Sequence, residues 1–260
     1  TNPLDPNTPS LEVDFGTHRV GLKSSSLGGS VGGLMDFRSE FSALADRTLG
    51  QNAIAIADAM NMQNGKGLDA NGRMGGELFA MGDISIHSTQ DNAHKLDNIS
   101  VKVSAGEAAK ITKETFELAK ISDSQLVLKR YDASGQSSGQ SLLFDPTNMT
   151  PDAQGYYKIE ELGLDIRVAD MALIDNNDVF RFTPTQGAAA SLAMQAKNGD
   201  AIALSAPVGV VTNSDNLSDA KISLSSVSNT RPETSAFASN GELYPNAPHE
   251  IYFTSPNSYV

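Results

Sequence analysis

The stretch GGSVGGLMDFRSEFSALADRTLGQNAIAIADAMNMQ, Gly28–Gln63, decides how the rest of the chain is read. Two glycine pairs lead into an amphipathic run of about thirty residues. Leu34, Phe37, Phe41, Leu44, Leu49, Ala53, Ile56 and Met60 follow one another at intervals of three and four, with a single step of five. That spacing predicts one apolar face of a helix. Asp36 and Glu40 favour its positive N-terminal end, and Gly65 and Gly67 end it. Thirty residues make roughly 45 Å of helix, well beyond the mean of about 11–12 residues in globular proteins.

A long apolar stripe needs other helices to pack on, and the chain offers none of comparable length. The best competitor, Ser104–Leu118, is short and only partly periodic. The partners are therefore expected on other subunits or in parts of the protein outside this sequence, and the chain reads as incomplete.

Composition narrows the function classes. Of 260 residues, 39% are hydrophobic and 22 are glycines, enough for a folded core. The net charge of −12, with no Lys/Arg cluster, argues against nucleic acid as partner. The absence of cysteine removes disulfides, thiol nucleophiles and thiolate metal sites. No run of about 18 apolar residues exists to span a membrane. The opening TNPLDPNTPS has neither the basic start nor the apolar stretch of a signal peptide.

Around the helix the pattern is β. LEVDF and HRVGL flank GT and predict a short hairpin before it. After the turn-rich GKGLDANGRMGG (Gly65–Gly76), the period changes to two. NISVKVS, TFELAKI, QLVLKRY, SLLF, YYKIE, LDIRVA, DVFRFTP and SLAMQA are predicted strands, separated by turn signals. KISLSSVS and HEIYFTS resemble the opening strands of another unit. The expected fold class is α+β and multi-domain: a long rod helix followed by mainly antiparallel β domains. The expected divisions are 1–82 for hairpin, helix and linker, 83–212 for a β-rich domain, and 213–260 for the start of a further, truncated β-rich domain.

Several motifs invite chemistry and fail on context. GGSVGG lacks the Gly-Lys-Ser/Thr of a P-loop and the spacing of a dinucleotide fingerprint, so it reads as a flexible joint. GQSSG (Gly135–Gly139) matches the nucleophile elbow with Ser137 as nucleophile. It is followed by a strand-like segment rather than a helix, and the only later histidine is His249. HEIYF carries Phe253 where a zincin needs its second histidine, and His18, His87, His94 and His249 are scattered. LDANGRMGGE has Gly72 and Arg73 out of register for a calcium loop, and Asp175–Asp178 reads as a turn. No catalytic residue, metal ligand or cofactor is expected.

The helix and its flanks closely resemble the middle region of the flagellar hook-associated protein 1 (FlgK) family. The shared elements are the Gly-Gly-x-x-Gly-Gly-Leu-x-x-Phe-Arg opening, Leu49–Gln51, Asp58–Asn61, Gly67–Gly76 and Leu78–Phe79. Leu162–Asp170 and Asp178–Pro207 resemble the family's β domain, so the likeness runs over Ser25–Pro207. It implies a structural subunit of the junction between flagellar hook and filament, exported without a cleaved signal. It implies contacts with copies of itself, the hook protein, and the adjoining junction protein or flagellin. Terminal helical segments of the family would complete the rod, and without them an isolated chain need not polymerise. One departure is Asn61-Met62-Gln63-Asn64, where the family often has Asn-x-x-His. The competing readings are an extracellular β-rich adhesin or glycan-binding module, against which the 6% aromatic content and absent Trp weigh, and a hydrolase using Ser137.

Overall fold

The computed structural model describes residues 11–22, 27–88, 95–176, 178–215, 222–232, 234–238, 240–247, 250–255 and 258–259. His94, His249 and the opening TNPLDPNTPS lie outside the described residues. The fold is α+β. By contacts the chain divides into two compact units, one of Thr1–Ala59 and Ala80–Ala193, the other of Met60–Phe79 and Met194–Val260.

Strands β1 (Glu12–Asp14) and β2 (Arg19–Gly21) form the hairpin, with Val13 opposite Val20. Gly16 turns it at φ 80°, in the left-handed region that a side chain disfavours. Helix α1 (Gly29–Asp36) runs through a π-helical turn (Phe37–Ser42) into α2 (Ala43–Asn64). The glycines expected to form a joint lie mostly inside this helix. Gly28 is extended and Gly29 turns the chain at φ 67°, whereas Gly32 and Gly33 are helical.

Short strands β3 (Phe79–Ala80) and β4 (Ile86–Ser88) precede β5 (Ile99–Val103), β6 (Thr115–Lys120), β7 (Leu126–Tyr131) and β8 (Leu142–Phe144). Then come β9 (Tyr157–Ile159), β10 (Leu164–Val168), β11 (Val179–Phe182), the helical turn α3 (Ala188–Ser191) and β12 (Ala193–Met194). A five-stranded sheet has the order β4-β11-β6-β7-β8, and a three-stranded one β5-β10-β9. All neighbouring strands of both sheets pair antiparallel.

Alternation decides which face is buried. Phe116 and Leu118 on β6, Leu126 and Leu128 on β7, and Phe180 and Phe182 on β11 point into a cluster completed by Leu164 and Ile166 of the smaller sheet. Phe116 and Phe182 stand opposite in register and stack at 5.4 Å between ring centres. Glu117 faces the other way between Arg181 and Lys129, its register partners on β11 and β7. The Arg181 guanidinium donates to Glu117 Oε2 through two nitrogens, at 2.8 and 2.7 Å.

One candidate helix and three expected strands differ from the sequence reading. Ser104–Leu118, the best competitor for a second helix, holds only one 3-10 turn at Ala108–Lys110, and from Thr115 it is β6, the strand expected of TFELAKI, drawn into the sheet by pairing on both sides. SLAMQA shrinks to the two residues of β12 because Ser191 closes α3. Ile222–Ser228 of KISLSSVS is not a strand, since no partner strand lies alongside it among the described residues. Of HEIYFTS, only Phe253–Ser255 is a strand, β13, paired with β14 (Ser258–Tyr259).

Candidate assembly face

Helix α2 has two working faces, and the first is a docking face for the chain's own β structure. Asp46, Gly50, Ile54, Ala57, Asn61 and Asn64 recur every three or four residues and so share one side of the helix. Ile54 and Ala57 are fully buried there. Arg47 Nη1 donates to the Lys113 carbonyl at 3.0 Å, and Gln51 Nε2 to the Ile111 carbonyl at 2.7 Å. Asp58 takes the Gly106 amide at 2.6 Å and the Ala108 amide at 3.1 Å, while Asp46 takes the Gly187 amide at 3.0 Å. Helix side chains thus satisfy loop backbone groups that would otherwise be orphaned.

At the end of α2 the same device recurs within the second unit. Asn61 Oδ1 accepts from the amides of Leu78 and Phe79, and its Nδ2 donates to the Phe79 carbonyl at 2.8 Å. Asn64, only 4% exposed, donates to the Gly76 and Ala201 carbonyls and accepts from the Ala203 amide. A Cβ on Gly75 would stand 2.2 Å from the Asn64 carbonyl oxygen, so only glycine lets the loop return this closely.

The second face is unpartnered among the described residues. Leu34, Phe37, Phe41, Leu44, Leu49, Ile56 and Met60 are all exposed, Phe41 to 62%. Phe37 and Phe41 stack on each other at 5.1 Å across the π-helical turn. Ala53 departs from the other seven: it borders the docking face and is buried. The stripe can therefore offer large apolar side chains at the surface while the helix is held from its other side.

The remaining sequence candidates fall elsewhere. Ser137 sits in a strand-connecting loop and bridges back to Tyr131; its neighbour Ser138 donates to Glu114, which also holds Arg130 at 2.6 Å. That is a strand–loop–strand setting, and a nucleophile elbow needs a helix. In the Asp175–Asp178 turn, Lys95 Nζ lies 2.7 Å from Asp175 and 2.6 Å from Asp178, an ammonium where a calcium ion would sit; Asn177 is outside the described residues. These pairs hold the Lys95 ammonium above the usual lysine range, Asp175 foremost. Asp69 in the Leu68–Glu77 loop accepts from the Asn71 and Arg73 amides and from the Arg73 guanidinium, so its carboxylate closes its own loop. His18 stacks on Phe15 in the hairpin, and His87 on β4 lines a polar cleft of about 220 Å³ with Asp46, Ser85 and Thr183. No trio of His, Asp or Glu side chains placed to hold a metal ion occurs among the described residues.

Sequence reading missed the docking residues, above all Asn64. The signal was present as a second set at helical spacing made of small and short polar residues, which an apolar count passes over.

Comparison with known proteins agrees with this geometry. The family described as the flagellar hook-associated protein FlgK helical domain matches residues 1–79. Flagellar hook-associated protein 1 of Salmonella typhimurium (strain LT2) is 32% identical over 176 residues, which is 68% of this chain and 29% of that protein. The Escherichia coli (strain K12) protein of that name is 42% identical over 64 residues, 25% of this chain and 12% of its own length. The chain thus spans under a third of the length of these relatives. The structure of the flagellar hook junction protein FlgK from Burkholderia pseudomallei superposes with a TM-score of 0.53 at 28% identity, covering 73% of this chain and 32% of that one. From the amphipathic helix with its glycine-flanked motifs to the antiparallel sheets behind it, the chain belongs to the FlgK family of flagellar hook-associated proteins.

Proposed function

We propose that this chain is part of a non-enzymatic structural subunit of the hook–filament junction, working by self-assembly. The observation that carries the reading is the row Leu34, Phe37, Phe41, Leu44, Leu49, Ile56 and Met60, exposed on a helix whose adjoining face is already fixed to the chain's own loops. Covering each large side chain is worth about 1.5–3 kcal/mol, so the row is a strong assembly surface. Ala53 contributes to its edge by keeping the helix close to the β structure.

Its partners are copies of itself, the hook protein, and the adjoining junction protein or flagellin. No cofactor, nucleic acid or membrane enters the mechanism. The protein works outside the cell in the flagellum, after export without a cleaved signal peptide. The names of the hook-associated and hook-junction relatives support this placement.

Electron microscopy of a strain deleted for the full-length gene, with flagellin assayed in the medium, tests the reading. The expected result is bare hooks with flagellin shed as soluble protein. Normal filaments on the deletion strain would overturn it.

A further inference from the structure

Asparagine followed by glycine is the step most prone to ring closure, because no side chain shields the glycine nitrogen from the preceding carboxamide. The chain has four such steps: Asn64–Gly65, Asn71–Gly72, Asn198–Gly199 and Asn240–Gly241. Closure needs the glycine nitrogen free to attack and turned towards the asparagine side chain, within reach of its Cγ. The structure separates the four on both counts.

Asn64 is locked, its side chain bonded to Gly76, Ala201 and Ala203, and the Gly65 amide is bound to the Asn61 carbonyl at 2.9 Å. In the next case the Gly72 amide closes a β-turn onto the Asp69 carbonyl at 3.0 Å, with Asn71 third in the turn. The Gly241 amide likewise closes onto the Ala238 carbonyl at 2.9 Å, with Asn240 third. No non-glycine residue described has positive φ, so both are type I-like positions with ψ near 0°. At that ψ the glycine nitrogen is rotated away from Cβ, and its N–H is already donated.

Asn198 differs. It is exposed and extended, at φ −155° and ψ 176°, which brings the following nitrogen to the Cβ side. Among the described residues no acceptor meets the Gly199 N–H, and nothing lies within 4 Å of where a Gly199 Cβ would stand. The Asn198 carboxamide is oriented by one bond, from Nδ2 to Asp200 Oδ2 at 3.1 Å.

We propose that Asn198 is a site of spontaneous covalent modification, converting through a cyclic imide to aspartate and isoaspartate ahead of the other three Asn–Gly steps. The Gly199 nitrogen bonds to Asn198 Cγ and loses its proton to solvent base. The Cγ–Nδ2 bond breaks and the nitrogen leaves as ammonia. Water then opens the imide at either carbonyl, so the sequence needs no oxidant, reductant or cofactor.

The consequence reaches the end of α2. The loop after Asn198 supplies the Asp200 carbonyl to the Ala70 amide at 3.0 Å, and the Ala201 carbonyl and Ala203 amide to Asn64. Isoaspartate adds a methylene to the backbone just before these groups and a negative charge beside Asp200.

The test is peptide mapping by mass spectrometry with isoaspartate-specific methylation, on folded chain held at mildly alkaline pH and on chain held in urea. Folded protein should convert at Asn198 about tenfold or more faster than at Asn64, Asn71 or Asn240, with hydrogen exchange at Ala70 and Ala203 accelerating in converted molecules. In urea the four sites should react at similar rates. Gly199→Ala, which meets open space, should fold normally and slow the reaction at Asn198. Conversion at Asn71 or Asn240 as fast as at Asn198, or an intact Asn198 in folded protein while the urea sample converts, overturns the proposal. Neither result bears on the junction role, which the deletion strain decides separately.

Discussion

A Cβ placed on Gly50 would stand 1.8 Å from the carbonyl oxygen of Thr185, so α2 and the turn after β11 meet backbone to backbone. In an exposed helix, exchanging glycine for alanine gains about 1 kcal/mol of propensity. Here the sign should reverse. Gly50→Ala is expected to lose about 1–3 kcal/mol, the cost of overpacking, because the obstacle is backbone on both sides. Urea unfolding decides it; a variant as stable as the parent would show that the two elements part without penalty.

Asn64 ties three backbone groups together inside the second unit: the Gly76 and Ala201 carbonyls and the Ala203 amide. Asn64→Ala leaves them without that partner beside the buried Asn64 position, and each such group costs about 1–3 kcal/mol where water does not reach it. A total loss of about 2–4 kcal/mol is expected. Asn64→His, whose ring nitrogens can both donate and accept, should recover part of it. Equal melting temperatures for parent and Asn64→Ala would refute the clamp.

The carboxylates give stability a direction with pH. Desolvation pushes Glu114 upward, but hydrogen bonds from Ser138 and Thr112 and the Arg130 guanidinium outweigh it and hold the carboxyl below the ordinary glutamate value. The unfolded chain therefore takes up protons first as pH falls. The contribution is full above the unfolded value of about 4.3 and is lost as pH drops through the lowered folded value. Glu107, Asp132, Asp145 and Asp152 are shifted down as well and add with the same sign. Melting temperature should fall on acidification in this window, and Glu114→Gln should fall less steeply. Superimposable slopes would remove Glu114 from the account.

Phe41 is exposed, and its ring stacks on that of Phe37. Phe41→Asp should change the stability of the isolated chain by no more than about 0.5 kcal/mol, as surface substitutions do. The same substitution in the full-length gene should prevent rod formation and leave hooks bare in a complementation assay. If the altered protein supports normal filaments, the stripe is not the assembly surface.

Much of the fold was legible because periodicity is a local property. Phe116, Leu118, Leu126, Leu128, Phe180 and Phe182 alternate with polar neighbours, and each of their segments is a strand in the sheet. The helix from Leu34 to Met60 was equally plain. Differences arose where a segment's fate depends on a distant partner. Ile222–Ser228 alternates like a strand yet finds no neighbour to bond among the described residues, whereas TFELAKI is the expected strand because β7 and β11 pair with it.

By itself the sequence determined the long amphipathic helix, the period-two strands, the acidic and cysteine-free character, and the family motifs around Leu49–Gln51, Asp58–Asn61 and Gly67–Gly76. Each of these depends on residue type and short spacing alone. Tertiary structure alone decided that Gly50, Gln51, Asp58, Asn61 and Asn64 serve the chain's own loops while Phe37, Phe41 and Leu49 remain at the surface. A helix side chain's role is set by which backbone groups reach it, and those groups come from residues as far away as Ala201 and Ala203, brought close only when the strands and loops have folded.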